Sequence, residues 1–266
     1  MTNRYQRRFE SLKSENRKAF IPFTVLGYPD RDRCRRTLAA MIESGVSALE
    51  LGLAFSDPVA DGPVIQKAAF DVIESGFKVR DAFELVREAR ALDSEIPIGL
   101  LVYHNMVIAR GGEEFFRQAA EAGVDGVLIA DLPPESADEL AAAAKRQSID
   151  LIFIISPLTD AERIAQISKL GGGFLYVVSR LGITGTEARY DDQLRGLIER
   201  AHGATDLPLC VGFGISSPEN AKNMYDLGAD GAISGSRVVE LVDRSGENFE
   251  AALKDFFGAM MRVTKE

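Results

Sequence analysis

Eight short apolar, β-branched runs recur along the chain, each followed by a glycine- or proline-broken stretch and then by ten or more residues at helical spacing. The runs occupy 20–26, 48–51, 98–102, 126–129, 151–155, 174–178, 209–212 and 231–234, and helical patterning fills 32–44, 81–92, 113–122, 136–147, 160–170, 191–201 and 218–227. The runs are nearly continuous in hydrophobicity instead of alternating, as expected of parallel strands covered on both faces. A closed barrel and a doubly wound sheet both meet that demand. Repetition favours the barrel. The phrases ESGVSALEL, EAGVDGVLI and DLGADGAIS each end a helix on glycine and pass directly into the next strand, one unit reused around a ring. The length of 266 residues suits a barrel of about 250 residues in one piece. The expected fold is therefore an α/β (β/α)8 TIM barrel, a single domain over 1–266. Tyr5, Phe9 and Leu12 should give an extra amphipathic N-terminal helix that closes its bottom.

Charge narrows the functional classes. With 31 basic against 40 acidic residues the net charge is −9, and the bases are scattered, which opposes binding to a nucleic-acid phosphate backbone. No run approaches the ~18 continuous apolar residues of a membrane span, and the N-terminus lacks a signal-peptide core. Cys34 and Cys210 belong to no metal-type spacing, so a reducing, cytoplasmic setting is expected.

In such a barrel, function sits where strands end and loops begin. Glu50 lies near the end of the second run, flanked by Leu49 and Leu51 with no basic residue nearby, and Asp57 and Asp61 follow in its loop. Tyr103 and His104 follow the third run, Asp131 the fourth, Ser179 and Arg180 the sixth. Glycine clusters RLGITGTEA, GFGISSPEN and SGSRV follow the last three runs, and Ser236 begins a short helix. Adjacent loops of this kind can grip a phosphate through backbone N–H groups, although glycines also serve plain tight turns. A carboxyl raised by apolar surroundings can give and take a proton near neutrality, which suits Glu50 and Asp61. Plainer roles remain open: a strand-end salt bridge for Glu50, an N-cap ahead of Pro63 for Asp61, a loop-shaping contact for Asp57. None of the nine lysines falls within a strand run, which disfavours a Schiff-base nucleophile. His104 with Glu50 and Asp131 is a conceivable but poor metal set, and no metal is expected.

The stretches FIPFTVLGYP, ELGLAFSDPVADGPVIQKA, YVVSRLGITG, GFGISSPENAK and GAISGS together resemble the tryptophan synthase alpha subunit family, from about Phe20 to Ser236. The resemblance implies retro-aldol cleavage of indole-3-glycerol phosphate to indole and glyceraldehyde 3-phosphate. It also implies transfer of indole to a beta subunit in an alpha2-beta2 heterotetramer. No cofactor belongs to this chain under that reading; pyridoxal phosphate belongs to the beta subunit. By similarity Glu50 is the general acid-base, Asp61 holds the indole N–H, and Tyr176 assists near the glycerol part. Phe23, Leu101, Leu128, Ile154 and Phe213 would sandwich the indole, while Gly185, Gly214, Gly235 and Ser236 would grip the phosphate. The loop 180–194, with Thr184 and Arg189, resembles the family's lid, in which Thr184 would orient Asp61. Asp57, in the 53–62 loop, would face the beta subunit. Ala54 departs from the family's usual proline before FSDP. The alternatives are a stand-alone lyase releasing free indole, a non-catalytic activator of a partner, and a metal-dependent sugar-phosphate epimerase.

Overall fold

The computed structural model describes residues 3–178, 187–212 and 214–265. Eight parallel strands hydrogen-bond in chain order and close on themselves: β1 (Ala19–Val25), β2 (Leu49–Gly52), β3 (Ile98–Val102), β4 (Gly126–Ile129), β5 (Asp150–Ile155), β6 (Leu175–Val178), β7 (Leu209–Gly212) and β8 (Gly231–Ser234). Around them run α2 (Arg31–Glu43), α3 (Pro63–Glu74), α4 (Val79–Leu92), α5 (His104–Ile108), α6 (Gly112–Ala122), α7 (Asp138–Arg146), α8 (Ala161–Leu170), α9 (Glu187–His202), α10 (Pro218–Asp226), α11 (Ser236–Arg244) and α12 (Phe249–Arg262), with α1 (Arg4–Ser14) ahead of the first strand. This is the expected (β/α)8 barrel with its added N-terminal helix.

The two-residue period of each strand separates two cores. Phe20, Leu49, Leu51, Leu100, Val127, Val177 and Val211 face outward and pack under the helices. Ile21, Phe23, Ala48, Leu128, Ile152, Tyr176, Cys210 and Ile233 face inward as a separate cluster. Because every strand is covered on both sides, neither face needs polar residues, and the runs read as continuous hydrophobicity.

The repeated helix-to-strand phrase has a conformational cause. Gly45, Gly123 and Gly228 take φ of +70°, +96° and +103°, values that side-chain-bearing residues rarely adopt, and so reverse the chain at the helix end. At the N-terminal end of the barrel, Tyr5 of α1 is 1 % exposed and forms part of the inward-facing cluster. Its space is made by two glycines: a Cβ at Gly99 would lie 2.5 Å from the Tyr5 hydroxyl, and one at Gly126 would lie 2.9 Å from its ring. Arg4 anchors the plug through Asp125 at 2.8 Å, and Asp125 also takes Arg90 at 2.7 Å and the Ile98 N–H at 2.9 Å.

Strand limits fall within one residue of the sequence expectation; the differences lie among helices. The 136–147 segment begins later than expected: a 3-10 turn (Pro134–Ser136) precedes it and it becomes α-helical only at Asp138. Helix α3 is sequence-legible in retrospect, burying Ile65, Ala68, Ala69 and Val72 at helical spacing. Helix α5 has five residues, too few to establish a period. Helix α12 buries Phe249, Leu253, Phe257 and Met260, and Phe256 meets Phe20 edge-on at 6.2 Å.

Candidate active site

Glu50 lies on β2 between Leu49 and Leu51, which both face the outer core, so the strand period aims its carboxyl into the barrel. It is 4 % exposed and is registered beside Phe23 on one side and Gly99 on the other. Among the described residues no ion pair includes Glu50, so the strand-end salt bridge considered from sequence does not form with any of them. Burial, aided by the Asp61 charge, pushes its carboxyl up to about 8. Near neutrality this is a protonated acid whose conjugate base is within reach.

Asp61 closes the loop after β2. It is not the N-cap of α3: that place belongs to Gly62, which offers no side-chain cap, and the Asp61 carboxylate turns toward the strand ends. There it accepts from the Tyr103 hydroxyl at 2.8 Å. Burial raises Asp61, and this hydrogen bond opposes the rise. The same Tyr103 oxygen accepts the Ala60 N–H at 3.1 Å, and the Tyr103 ring stacks on Phe55 at 5.0 Å. Sequence reading noted Tyr103 at its strand end but gave it no role. Its signal was an aromatic hydroxyl one residue past β3, within reach of an acid-bearing loop.

Tyr176, on β6, is 8 % exposed, and burial together with the charges of Glu50 and Asp61 holds its hydroxyl well above the ordinary phenol range. Its ring and hydroxyl occupy the space where a Cβ at Gly212 would stand. Phe23, Leu128 and Tyr176 belong to the inward cluster, with Leu101 and Ile154 packed partly open against it. Leu101 pairs with Leu128, and Ile154 with Tyr176, across neighbouring strands. The strands thus bring an acidic pair and an apolar, aromatic wall to one place.

After β8, which pairs with β1, Ser236 opens α11 with an exposed side chain, preceded by Gly235. The Ser234 hydroxyl donates to the Ile215 carbonyl at 2.6 Å and so ties the loop after β7 to the end of β8. Gly214 in that loop has φ +76°, and a Cβ there would meet nothing within 4 Å. An anion could therefore approach its backbone. Thr184, Gly185 and Phe213, with Ser179, Arg180 and the side chain of Arg189, lie outside the described residues.

Asp57 is exposed on the same loop as Asp61, where Ser56 donates to its carboxylate. Asp131 accepts the His104 backbone N–H at 2.6 Å and shapes the turn after β3. Among the described residues, no group of three His, Cys, Asp or Glu side chains is arranged to hold a metal ion. A groove of about 1380 Å³ lies at the N-terminal face beside Lys13, Lys18 and Asp150. No C-terminal strand end reaches it, and strand polarity, not cavity size, locates the chemistry.

The fold defines the class first: a (β/α)8 barrel that brings the carboxyls of Glu50 and Asp61 to its strand ends and carries no lysine on a strand. The comparisons make it particular. The family profile described as tryptophan synthase alpha chain matches residues 9–265. The tryptophan synthase alpha chain of Methanothermobacter thermautotrophicus is 44% identical over 224 residues, covering 84% of this chain and 83% of that one. The crystal structure of tryptophan synthase subunit alpha from Legionella pneumophila superposes with a TM-score of 0.90 at 31% identity, covering 99% of each chain. A chain of the tryptophan synthase complex from Pyrococcus furiosus does so with a TM-score of 0.82 at 32% identity, covering 92% of this chain and 99% of that one. The chain belongs to the tryptophan synthase alpha chain family, and its activity is that of a lyase in tryptophan biosynthesis.

Proposed function

We propose that the barrel mouth cleaves indole-3-glycerol phosphate into indole and glyceraldehyde 3-phosphate, with Glu50 moving both protons. The observation that carries this reading is a buried carboxyl, free of ion pairs among the described residues and pushed up to about 8, facing an aromatic-sized apolar wall. Glu50 in its acid form protonates indole C3, which makes the ring an iminium-like electron sink. Its carboxylate then takes the proton of the glycerol hydroxyl beside the scissile bond. The O–H electrons form the aldehyde C=O, and the electrons of the breaking carbon-carbon bond return to the ring and restore the indole. Asp61 accepts the indole N–H and stabilises the positive charge at that nitrogen. Phe23, Leu101, Leu128 and Ile154 hold the ring, Tyr176 sits beside the glycerol part, and Gly214, Gly235 and Ser236 bind the phosphate. Thr184, Gly185 and Phe213 complete the pocket on the family pattern.

A beta-subunit partner in an alpha2-beta2 assembly fits the exposed apolar side chains on three loops of the mouth. Val59, Ile108 and Leu158 are 81%, 52% and 81% exposed, on the segments after β2, β3 and β5, and Asp57 lies on the first of these. We place pyridoxal phosphate in that partner, and the chain in the cytoplasm as a single barrel domain over 1–266. Among the described residues no helix is long and apolar enough to cross a membrane. The test is indole release from indole-3-glycerol phosphate by the isolated chain and with a beta subunit added. Stimulation by the partner supports this reading. High turnover that the partner leaves unchanged favours a stand-alone lyase, and no cleavage in either case refutes the assignment.

A further inference from the structure

Three contacts converge on the loop after β2 from one side chain. The Tyr103 oxygen donates to Asp61 Oδ2 at 2.8 Å and accepts the Ala60 N–H at 3.1 Å, and its ring stacks on Phe55 at 5.0 Å and 22°. The Asp61 carbonyl is held separately by Gln66 Nε2 at 2.8 Å. Tyr103 is itself fixed, since it is 1 % exposed and follows the last residue of β3. A strand end is a more rigid mount than an exposed loop, so the position of Asp61 is set by β3.

We infer that Tyr103 is a positioning residue for the reaction: its hydroxyl fixes Asp61 through Oδ2, ties down the loop through Ala60, and leaves Oδ1 to accept from a substrate N–H. The inference rests on the proposed reading of the mouth and deepens it. A donor on Oδ2 also favours the ionised carboxylate, the form that can stabilise a cationic ring. The ionisable groups around Asp61 are Glu50 on β2, Tyr103 itself and Tyr176 on β6, with Asp131 beyond Tyr103. Among the described residues none of these groups carries a positive charge that would hold Asp61 ionised in place of the Tyr103 hydroxyl.

The experiment uses the full chain without substrate, labelled with carboxyl-13C aspartate, with the Asp61 resonance assigned through Asp61→Asn. In Tyr103→Phe, which keeps the ring, Asp61 should titrate about 1–2 pH units higher than in the wild type. The kcat for indole release should fall about 10- to 100-fold with KM changed less than about threefold, and the acid limb of its pH profile should move up with the carboxyl. An unmoved Asp61 titration overturns the inference, as does a uniform rate loss with the acid limb in place. Phe55→Leu keeps the hydroxyl and should leave the titration unmoved; an equal shift there assigns the effect to ring packing and also overturns it. If Tyr103→Phe folds poorly, 3-fluorotyrosine at position 103, a stronger donor of nearly the same shape, must lower the Asp61 titration point. A titration without substrate succeeds or fails separately from the proposed reaction, which Glu50→Gln probes.

Discussion

Glu50→Gln should make the protein more stable, and increasingly so as pH rises. A carboxyl that titrates at 4.5 in a solvated chain and at about 8 inside this barrel binds more protons folded than unfolded throughout that interval. Stability then falls as pH rises from the unfolded value through the folded one. The group's unfavourable contribution is nearly absent below pH 4.5 and nearly complete above 8. At about 1.4 kcal/mol per pH unit, ionising Glu50 costs roughly 2 kcal/mol of stability at pH 6 and up to about 5 kcal/mol at pH 9. Glutamine has almost the same shape and no charge to bury. Its advantage over the wild type should therefore grow by about 3 kcal/mol between pH 6 and pH 9, less whatever water entering the mouth recovers. Urea unfolding of both proteins at the two pH values, with matched m-values, measures the difference. A constant difference across that range would mean that Glu50 is already ionised in the fold at pH 6, and the acid-base argument would lose its physical basis.

Other consequences follow from the same packing. Asp125→Ala leaves Arg90 and Arg4 without their shared carboxylate and the Ile98 N–H without its acceptor, and should cost about 3–5 kcal/mol in urea unfolding. Tyr5→Ala empties the barrel floor between Gly99 and Gly126 and should cost about 3–5 kcal/mol by the same measurement. Gly212→Ala places a methyl group where the Tyr176 hydroxyl and ring stand, so indole release should fall at least about tenfold through displacement of that ring.

The barrel is readable because every strand is covered on both faces and three of the helix-to-strand turns repeat one glycine device. Glu50 stood out for the same reason, as the single charge in an apolar run whose neighbours, Leu49 and Leu51, face the other core. DGP reads locally as the start of a helix, which is why a cap stays open in the sequence, beside acid-base work, as a role for Asp61. Its true partner, Tyr103, lies 42 residues on, and only closure of the barrel brings the two together. Helix α5 escaped because one and a half turns carry no period, and the Tyr5 plug was visible as an amphipathic face but not as a fit to two particular glycines. Local sequence thus indicated which residues point inward. Contacts across strand ends, which decide protonation, required the three-dimensional register.

The most direct test of the central claim is the pH dependence of kcat/KM for indole release from indole-3-glycerol phosphate by the wild-type chain. A protonated Glu50 working against an ionised Asp61 predicts a bell whose alkaline limb falls near pH 8 and is lost in Glu50→Gln along with most of the rate. A rate that stays level from pH 6 to well above pH 9, or a Glu50→Gln chain that retains full cleavage, contradicts it.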